Sequence, residues 1–461
     1  MSYISRNPYT EAIEHEYPDA TDAQVEQALA TAHSAFLDWS HTDHAQRAEL
    51  LRAVGRLLTE RTEELAAVLT RDMGKTIGEA RAEVGTCVRI LTWYADHAEK
   101  FLQPRTELAA NYKGGTYQIV PSPLGIIFIV EPWNFPYYQI ARVLAPQLAA
   151  GNTVILKHAS NVPGAAQAWQ TVMDDAGAPR GLFTNLFATH DQSARIIADP
   201  RVRGVALTGS EAAGAVIAGQ AAQALKKSTM ELGGADALIV LEDAEVEKAA
   251  RWAAYGRHRN AGQVCVSSKR MIVVDAVYDR FVAAYLAEVG KLRAGDPFDP
   301  DTTLAPLSTE GARTDLQAQV ERAVAAGATA QYVDLPVPEH GWFFPPVVLS
   351  DISPDNPAYH EEFFGPVTQL YRVADEDAAV KLANDSPYGL GGSVFTADEQ
   401  RGLHVARRLD TGMVAVNRPS LGGPDVPFGG TKRSGYGREL IDLGLLEFVN
   451  QKVIGLGDID A

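Results

Sequence analysis

With only two cysteines, Cys87 and Cys265, the chain has nothing from which to build a disulfide framework or a cysteine-rich zinc site. Long apolar runs are missing too. The nearest, Leu124 to Val130, is much too short to cross a bilayer, which needs about twenty residues. Met1 to Pro18 is polar and interrupted by prolines, without the basic start and apolar stretch of a secretory signal. Positive charge is scarce: 41 Lys and Arg face 58 Asp and Glu, a formal net charge of −17. Such a surface repels phosphate backbones and anionic lipid, which argues against nucleic acid or membrane as the main partner. There is no repeat of 20 to 50 residues and no low-complexity tract, so solenoids and linkers are set aside. Together these absences point to a soluble, cytoplasmic protein acting on a small molecule.

What is present is an ordinary globular composition, 46% hydrophobic and 21% charged. At 461 residues the chain suits two or three lobes, because single cores stop growing beyond about 250–300 residues. From Thr21 to about Lys100, apolar residues recur every three or four positions among Glu, Arg and Gln, which predicts long amphipathic helices with Asp22 and Asp43 as N-caps. Strand character follows at Lys113–Val120 and Leu124–Val130. Short apolar runs then alternate with helical segments: strands near 153–156, 182–187, 204–207 and 228–232, and helices starting at Gly164, Asp191 and Glu211. That alternation predicts an α/β lobe with a mostly parallel sheet covered on both faces. A second series, with strands near 237–241, 271–274, 347–349 and 413–417, predicts a second α/β lobe. The proline-bearing segment 335–346 reads as a loop.

Three stretches carry chemistry. Arg259-Asn260-Ala261-Gly262-Gln263-Val264-Cys265 is a polar loop that delivers one thiol. A cationic or dipolar setting lowers a thiol from its ordinary pKa near ~8.5 and makes it a nucleophile, although most lone cysteines are simply small buried hydrophobes. Glu131-Pro132-Trp133-Asn134-Phe135-Pro136 braces an asparagine between two prolines at the end of an apolar strand. Its amide can donate to an oxyanion, or merely serve its own turn. Met230-Glu231-Leu232-Gly233-Gly234 sets a carboxylate at a strand end before a glycine turn, either a general base or a solvated acid.

Taken together, these loops resemble the aldehyde dehydrogenase superfamily over about Asp22 to Ile454. The matching strings, in order, are P-W-N-F-P at 132–136, L-K at 156–157, T-G-S at 208–210, E-L-G-G at 231–234, G-Q-x-C at 262–265, E-x-F-G-P-V at 362–367 and P-F-G-G-x-K-x-S-G at 427–435. The resemblance implies that Cys265 attacks an aldehyde, that Asn134 and the Cys265 N–H hold the oxyanion, and that Glu231 activates water against the resulting thioester. It also implies a Rossmann-like coenzyme domain over 1–104 and 124–232, a catalytic domain over 233–433, and a small β extension for oligomerisation made from 105–123 and 434–461. Homodimers or homotetramers follow by analogy. The coenzyme residues it implies are Trp133, Lys157, Ser160, Gly209, Ser210, Glu362 and Phe364. The turn T-G-S-E-A-A-G at 208–214 takes the place of the usual G-x-G-x-x-G.

Position 160 bears on the coenzyme. Relatives that prefer NAD often carry glutamate there, which repels a 2′-phosphate; Ser160 removes that repulsion, so NADP is favoured over NAD. His158, where proline is commoner, is expected to add positive charge or to be a plain hydrogen-bonded group. For the substrate, Arg142 and Arg259 match arginines that grip the carboxylate in succinate-semialdehyde dehydrogenases, because a guanidinium offers fork-shaped, charge-assisted hydrogen bonds. The alternative is that one of them pairs with a structural acid, such as Glu131 or an acid of the catalytic lobe, and never meets substrate. That subfamily's serine ahead of P-F-G-G has no direct counterpart, and Ser420 is the candidate substitute. Glutarate or 2-oxoglutarate semialdehyde and neutral aldehydes therefore stay open as substrates, as does a catalytically silent binding protein on the same fold. Ser267 stands where some relatives have a second cysteine, so no local disulfide switch is expected.

Overall fold

The computed structural model describes residues 3–108 and 115–457. Lys113 and Gly114, the start of the expected strand at 113–120, lie outside them, as do 458–461 of the expected extension.

Four helices, Asp22–Trp39, His44–Glu60, Thr62–Met73 and Ile77–Phe101, account for the amphipathic N-terminal region. Asp43 caps the second, its side chain accepting from the Gln46 N–H while Gln46 reaches back. The first is capped by Thr21 rather than Asp22, which is the first helical residue. Both arrangements are capping boxes, and Gln three residues on decides which residue is the cap. A hairpin precedes the helices, Tyr3–Arg6 against Ile13–Tyr17, in a segment whose sequence has no clean alternation.

Two sheets form the body. In the first, the strands lie in the order Gly435–Tyr436, Lys227–Glu231, Val202–Thr208, Ile126–Glu131, Thr153–His158, Phe183–Asn185, all parallel except the first. The chain runs outward to opposite sides of Ile126–Glu131, so a crevice opens beyond its carboxyl end, next to that of Val202–Thr208. The second sheet has the order Thr329–Tyr332, Val347–Ser350, Val367–Val373, Ser268–Val274, Asp236–Val240, Gly391–Phe395, Met413–Val416, with Thr329–Tyr332 antiparallel. Its central strands are buried on both faces, as parallel strands covered by helices must be, with apolar residues filling their carboxyl halves. Arg105–Leu108, Thr116–Pro123 and Val449–Leu456 make a separate antiparallel sheet.

One boundary differs from the sequence reading. Residues 434–448 do not all go with that small sheet: Gly435–Tyr436 extends the first sheet, and the helix Ile441–Leu446 packs on Pro136–Ala150. No helix among the described residues is long and apolar enough to cross a membrane.

The topology fixes where chemistry can occur. Asn134, Gly209 and Glu231 sit at or just beyond the carboxyl ends of neighbouring strands of the first sheet. The Gly233–Gly234 turn, the Cys265 loop and the Glu362 loop each lead into one of three adjacent parallel strands of the second sheet, and so converge at its amino end.

Candidate active site

The loop bearing Cys265 leaves the helix Val246–His258 through three successive left-handed residues, Asn260 (φ 52°), Ala261 (φ 53°) and Gly262 (φ 77°). Two of them are not glycine, which costs roughly 1–2 kcal/mol each, so the surroundings must hold the turn in place. They do so with buried donors. Arg257 gives N–H bonds to the carbonyls of Gly262 (3.3 Å), Phe363 (2.8 Å) and Val367 (2.8 Å), and to Ser267 and Gly365. Cys265 itself is partly exposed, whereas Cys87 is buried in the helical core. Desolvation pushes the Cys265 thiol up to about 11 against the pull of Arg142 and Lys269, with Asp236 and Glu362 adding to the rise. The thiol is therefore mostly neutral at pH 7 and needs a base to react.

Asn134 is held at both ends. Its side-chain amide donates to the Gln263 carbonyl at 3.2 Å, and its own carbonyl accepts from Lys75 Nζ at 3.0 Å and Asn260 Nδ2 at 2.9 Å. Only one amide hydrogen is consumed by Gln263, which leaves the other free to donate to a negative oxygen. Lys75 is in turn ion-paired with buried Glu83, whose Oε1 accepts from the Tyr137 (2.8 Å) and Tyr138 (3.1 Å) N–H groups at the start of the helix Pro136–Ala150.

Glu231 ends its strand fully buried, with neither carboxylate oxygen hydrogen-bonded to protein. Desolvation and the neighbouring Glu439 push its carboxyl well above the ordinary range, and Arg142 opposes them. Gly429 lies over it with φ +148°, and a Cβ there would sit 2.7 Å from Glu231 Oε1. A side chain at 429 would crowd the carboxylate.

The aldehyde dehydrogenase family profile matches residues 2–454. The chain belongs to the aldehyde dehydrogenase family. It is 46% identical over 453 residues to the NADP+ succinate-semialdehyde dehydrogenase of Deinococcus radiodurans, covering 98% of this chain and 94% of that protein. The corresponding protein of Mycobacterium avium is 41% identical over 99% of this chain and 97% of its own. Among solved structures, succinic semialdehyde dehydrogenase from Streptococcus pyogenes in complex with NADP+ superposes with a TM-score of 0.96 at 42% identity, covering 99% of this chain and all of that one (100%).

Of the residues expected to hold the coenzyme, Lys157, Gly209 and Ser210 lie at or just beyond the carboxyl ends of first-sheet strands, and Glu362 and Phe364 in the loop before Val367–Val373. Ser210 caps the helix Glu211–Gln223, its Oγ accepting from the Ala213 N–H at 3.3 Å, and the Gly209 N–H donates to the Glu231 carbonyl at 2.9 Å. Lys157 is buried, its ammonium 5.7 Å from the centre of the Tyr3 ring. The same N-terminal strand donates the Ile4 N–H to the Ser160 carbonyl at 2.9 Å, so the hairpin borders the coenzyme residues. Trp133 and Phe364 meet edge to face with centroids 5.6 Å apart. Glu362 is partly exposed beside them and ion-paired with Lys269 at 2.9 Å. A helix start, an ammonium and a carboxylate are the kinds of group that a dinucleotide needs.

His158 is not a source of positive charge. Burial pushes it down to about 4; its Nδ1 accepts from the Ala159 N–H at 2.8 Å, which leaves Nε2–H to donate to the Pro136 carbonyl at 3.0 Å. The Arg142 guanidinium is buried and paired with Glu439, not Glu131; its Nη2 donates to Thr208 Oγ1 at 3.1 Å, while Nη1 has no protein acceptor. The rings of Tyr138 and Phe428 flank it, 5.1 and 4.3 Å away. Arg259 is half-buried, 5.7 Å from the Phe135 ring centre. Ser420 lies, partly exposed, in the loop after Met413–Val416, next to Pro419, which packs on the helix leading to Arg259.

Sequence reasoning passed over Lys75, Glu83, Arg257, Lys269 and Glu439, and gave Asn260 and Gln263 no role. Their positions were visible, but not their burial. Gly74-Lys75-Thr76 sits between two helices, and Arg257 and Lys269 flank the nucleophile motif, but a basic residue's sequence does not say whether it is buried.

Proposed function

We propose that the protein oxidises succinate semialdehyde to succinate with NADP+ through a thioester on Cys265. The observation that carries this reading is the Arg142 guanidinium, fixed by Glu439 and Thr208 within electrostatic reach of both Cys265 and Glu231, with one N–H edge lacking a protein acceptor. Glu231 takes the thiol proton and the Cys265 sulfur bonds to the aldehyde carbon. The oxygen that becomes negative is received by the Asn134 amide and the Cys265 N–H. Bound NADP+ supplies the acceptor for the hydride that leaves that carbon. Glu231, once it has given the first proton up to solvent, removes a proton from the water that attacks the thioester; the C–S bond breaks, succinate leaves, and the sulfur takes that proton from Glu231. Arg142 and Arg259 hold the far carboxylate, with Ser420 as a further donor, and charge-assisted bonds of this kind are worth about 1.5–3 kcal/mol each. Lys157, Gly209 and Ser210 hold the adenosine and pyrophosphate portions, and the neutral Ser160 admits the 2′-phosphate.

The two larger sheets correspond to coenzyme and catalytic lobes in this reading. The small one serves subunit pairing: its edge strand Val449–Leu456 leaves Val453 65% and Leu456 56% exposed, apolar surface of the kind a second copy covers. The free cysteines suit a reducing cytoplasm.

The test is a panel of succinate semialdehyde, glutarate semialdehyde and butanal, each with NADP+ and NAD+, followed by coenzyme absorbance. The highest kcat/KM is expected for succinate semialdehyde with NADP+. Equal values for butanal would remove carboxylate recognition, a higher value for the longer semialdehyde would change the substrate, and a preference for NAD+ would overturn the reading of Ser160.

A further inference from the structure

Lys269 is fully buried on the strand Ser268–Val274, four residues after the nucleophile, and its ammonium has three donors and three acceptors. These are the carbonyls of Val264 (2.8 Å) and Cys265 (2.7 Å) and the Glu362 carboxylate (2.9 Å). The same Glu362 oxygen accepts the Gly234 N–H at 3.2 Å, and a Cβ on Gly234 would lie 2.9 Å from the Cys265 carbonyl. Three loops, carrying the nucleophile, the glycine turn after the base, and the carboxylate, thus meet on one buried cation. Its neighbour Phe364 lies with its ring centre 5.7 Å away.

We propose that Lys269 is a positioning residue that locks the Cys265 loop to the Glu362 carboxylate, so that binding at Glu362 and reactivity at Cys265 are coupled through one ammonium. The coenzyme half of this inference rests on the reading of Glu362 as the nicotinamide-ribose ligand; the thiol half does not. A buried lysine that only filled space would not have every donor spent on these two groups. The alternative links are weak: neither Glu362 nor the Cys265 carbonyl has another cation within hydrogen-bonding distance among the described contacts. The charged and titratable groups facing the thiol are Arg142 and Tyr138 on the helix Pro136–Ala150, Lys269 on its own strand, Asp236 on the adjacent strand, and Glu362 on the preceding loop. Removing Lys269 leaves Asp236 and Glu362 unopposed on that side, and removing the Glu362 charge leaves Lys269 unopposed. The two changes must therefore move the thiol in opposite directions.

Three variants of the full-length protein decide it: Lys269→Met, Glu362→Gln, and both together. Iodoacetamide modification of Cys265 is followed against pH without coenzyme, and NADP+ affinity is measured separately by fluorescence. The alkylation profile is expected to move to higher pH in Lys269→Met, about tenfold slower at pH 8, and to lower pH in Glu362→Gln, with the double variant between them. For NADP+, Lys269→Met is expected to weaken binding about tenfold in the parent background and less than twofold once Glu362 is Gln. Alkylation profiles of all three that superpose on the parent, or fully additive effects on NADP+ binding, would overturn the coupling. If Lys269→Met does not fold, Glu362→Gln alone still decides, because a profile that fails to move to lower pH contradicts the proposal. Opposed alkylation shifts with NADP+ affinity unchanged in Glu362→Gln would instead sink the ribose assignment and leave the lock to the nucleophile standing.

Discussion

Replacing Arg142 with Met separates two jobs that the geometry gives to one side chain. Its guanidinium is 0% exposed and paired with Glu439, 6% exposed, while Glu131 and Glu231 lie in the same buried cluster. One cation thus serves three carboxyls. Removing one partner of a buried pair costs about 3–5 kcal/mol, because the other is left uncompensated. Arg142→Met is expected to lose that much in urea unfolding at pH 7.5, and Arg142→Met with Glu439→Gln to recover most of it. Substrate recognition behaves differently, since the double variant has no guanidinium to offer. Loss of a charge-assisted contact worth about 1.5–3 kcal/mol lowers kcat/KM for succinate semialdehyde roughly 10- to 150-fold in both variants. Butanal, of similar length and without the carboxylate, is expected to keep its parent value in the double variant. A single variant as stable as the parent would refute the buried-pair reasoning. A double variant with parental kcat/KM for succinate semialdehyde would show that Arg142 never meets the substrate.

Ser160→Glu restores a negative charge beside Lys157 and is expected to lower kcat/KM for NADP+ about 100-fold with little change for NAD+; equal loss for both coenzymes would remove residue 160 from the 2′-phosphate site. Asn134→Ala removes the oxyanion donor, and kcat is expected to fall about 100- to 1000-fold with the unfolding midpoint nearly unchanged; a fall of less than tenfold would shift the oxyanion site elsewhere. His158, held near 4 by burial against an ordinary value of 6.5, takes up its proton more readily when unfolded. Its contribution to stability is therefore complete above pH 7 and lost as pH falls toward 4, with about 2 kcal/mol gone between pH 7.5 and 5. His158→Gln should flatten the urea-derived stability profile by that amount over this interval, and an unchanged profile would place the proton elsewhere.

Much of the architecture was legible because periodicity speaks directly of burial. The alternation of apolar runs and helical segments from Thr153 to Leu232 predicted a mostly parallel sheet, and the series from Ala237 to Asn417 a second α/β lobe; both are present. Where propensity competes, it failed: Thr21 rather than Asp22 caps the first helix because the Gln three positions on must reach back to it. The N-terminal hairpin escaped notice since Ile13–Tyr17 alternates charge with histidine and tyrosine and buries little. At the site, motif strings pointed to Cys265, Asn134 and Glu231, which the fold brings to one junction between the sheets. The cations that hold them could not be found this way. Whether Lys75, Arg257 or Lys269 faces water or buried acceptors depends on how distant loops meet, and local sequence carries no trace of that. His158 shows the converse: a titratable residue beside Lys157 looked useful for phosphate, but its ring is spent on the Pro136 carbonyl and the Ala159 N–H.

The most direct test of the mechanism is to catch the acyl-enzyme. Glu231→Gln slows the attack of water without removing the sulfur, so mixing it with succinate semialdehyde and NADP+ and quenching in acid should leave a succinyl group on the peptide bearing Cys265, alongside a burst of one NADPH per active site. A burst-free steady rate in Glu231→Gln equal to that of the parent, or a succinyl group found on any other residue, would contradict covalent catalysis at Cys265 with Glu231 as the base.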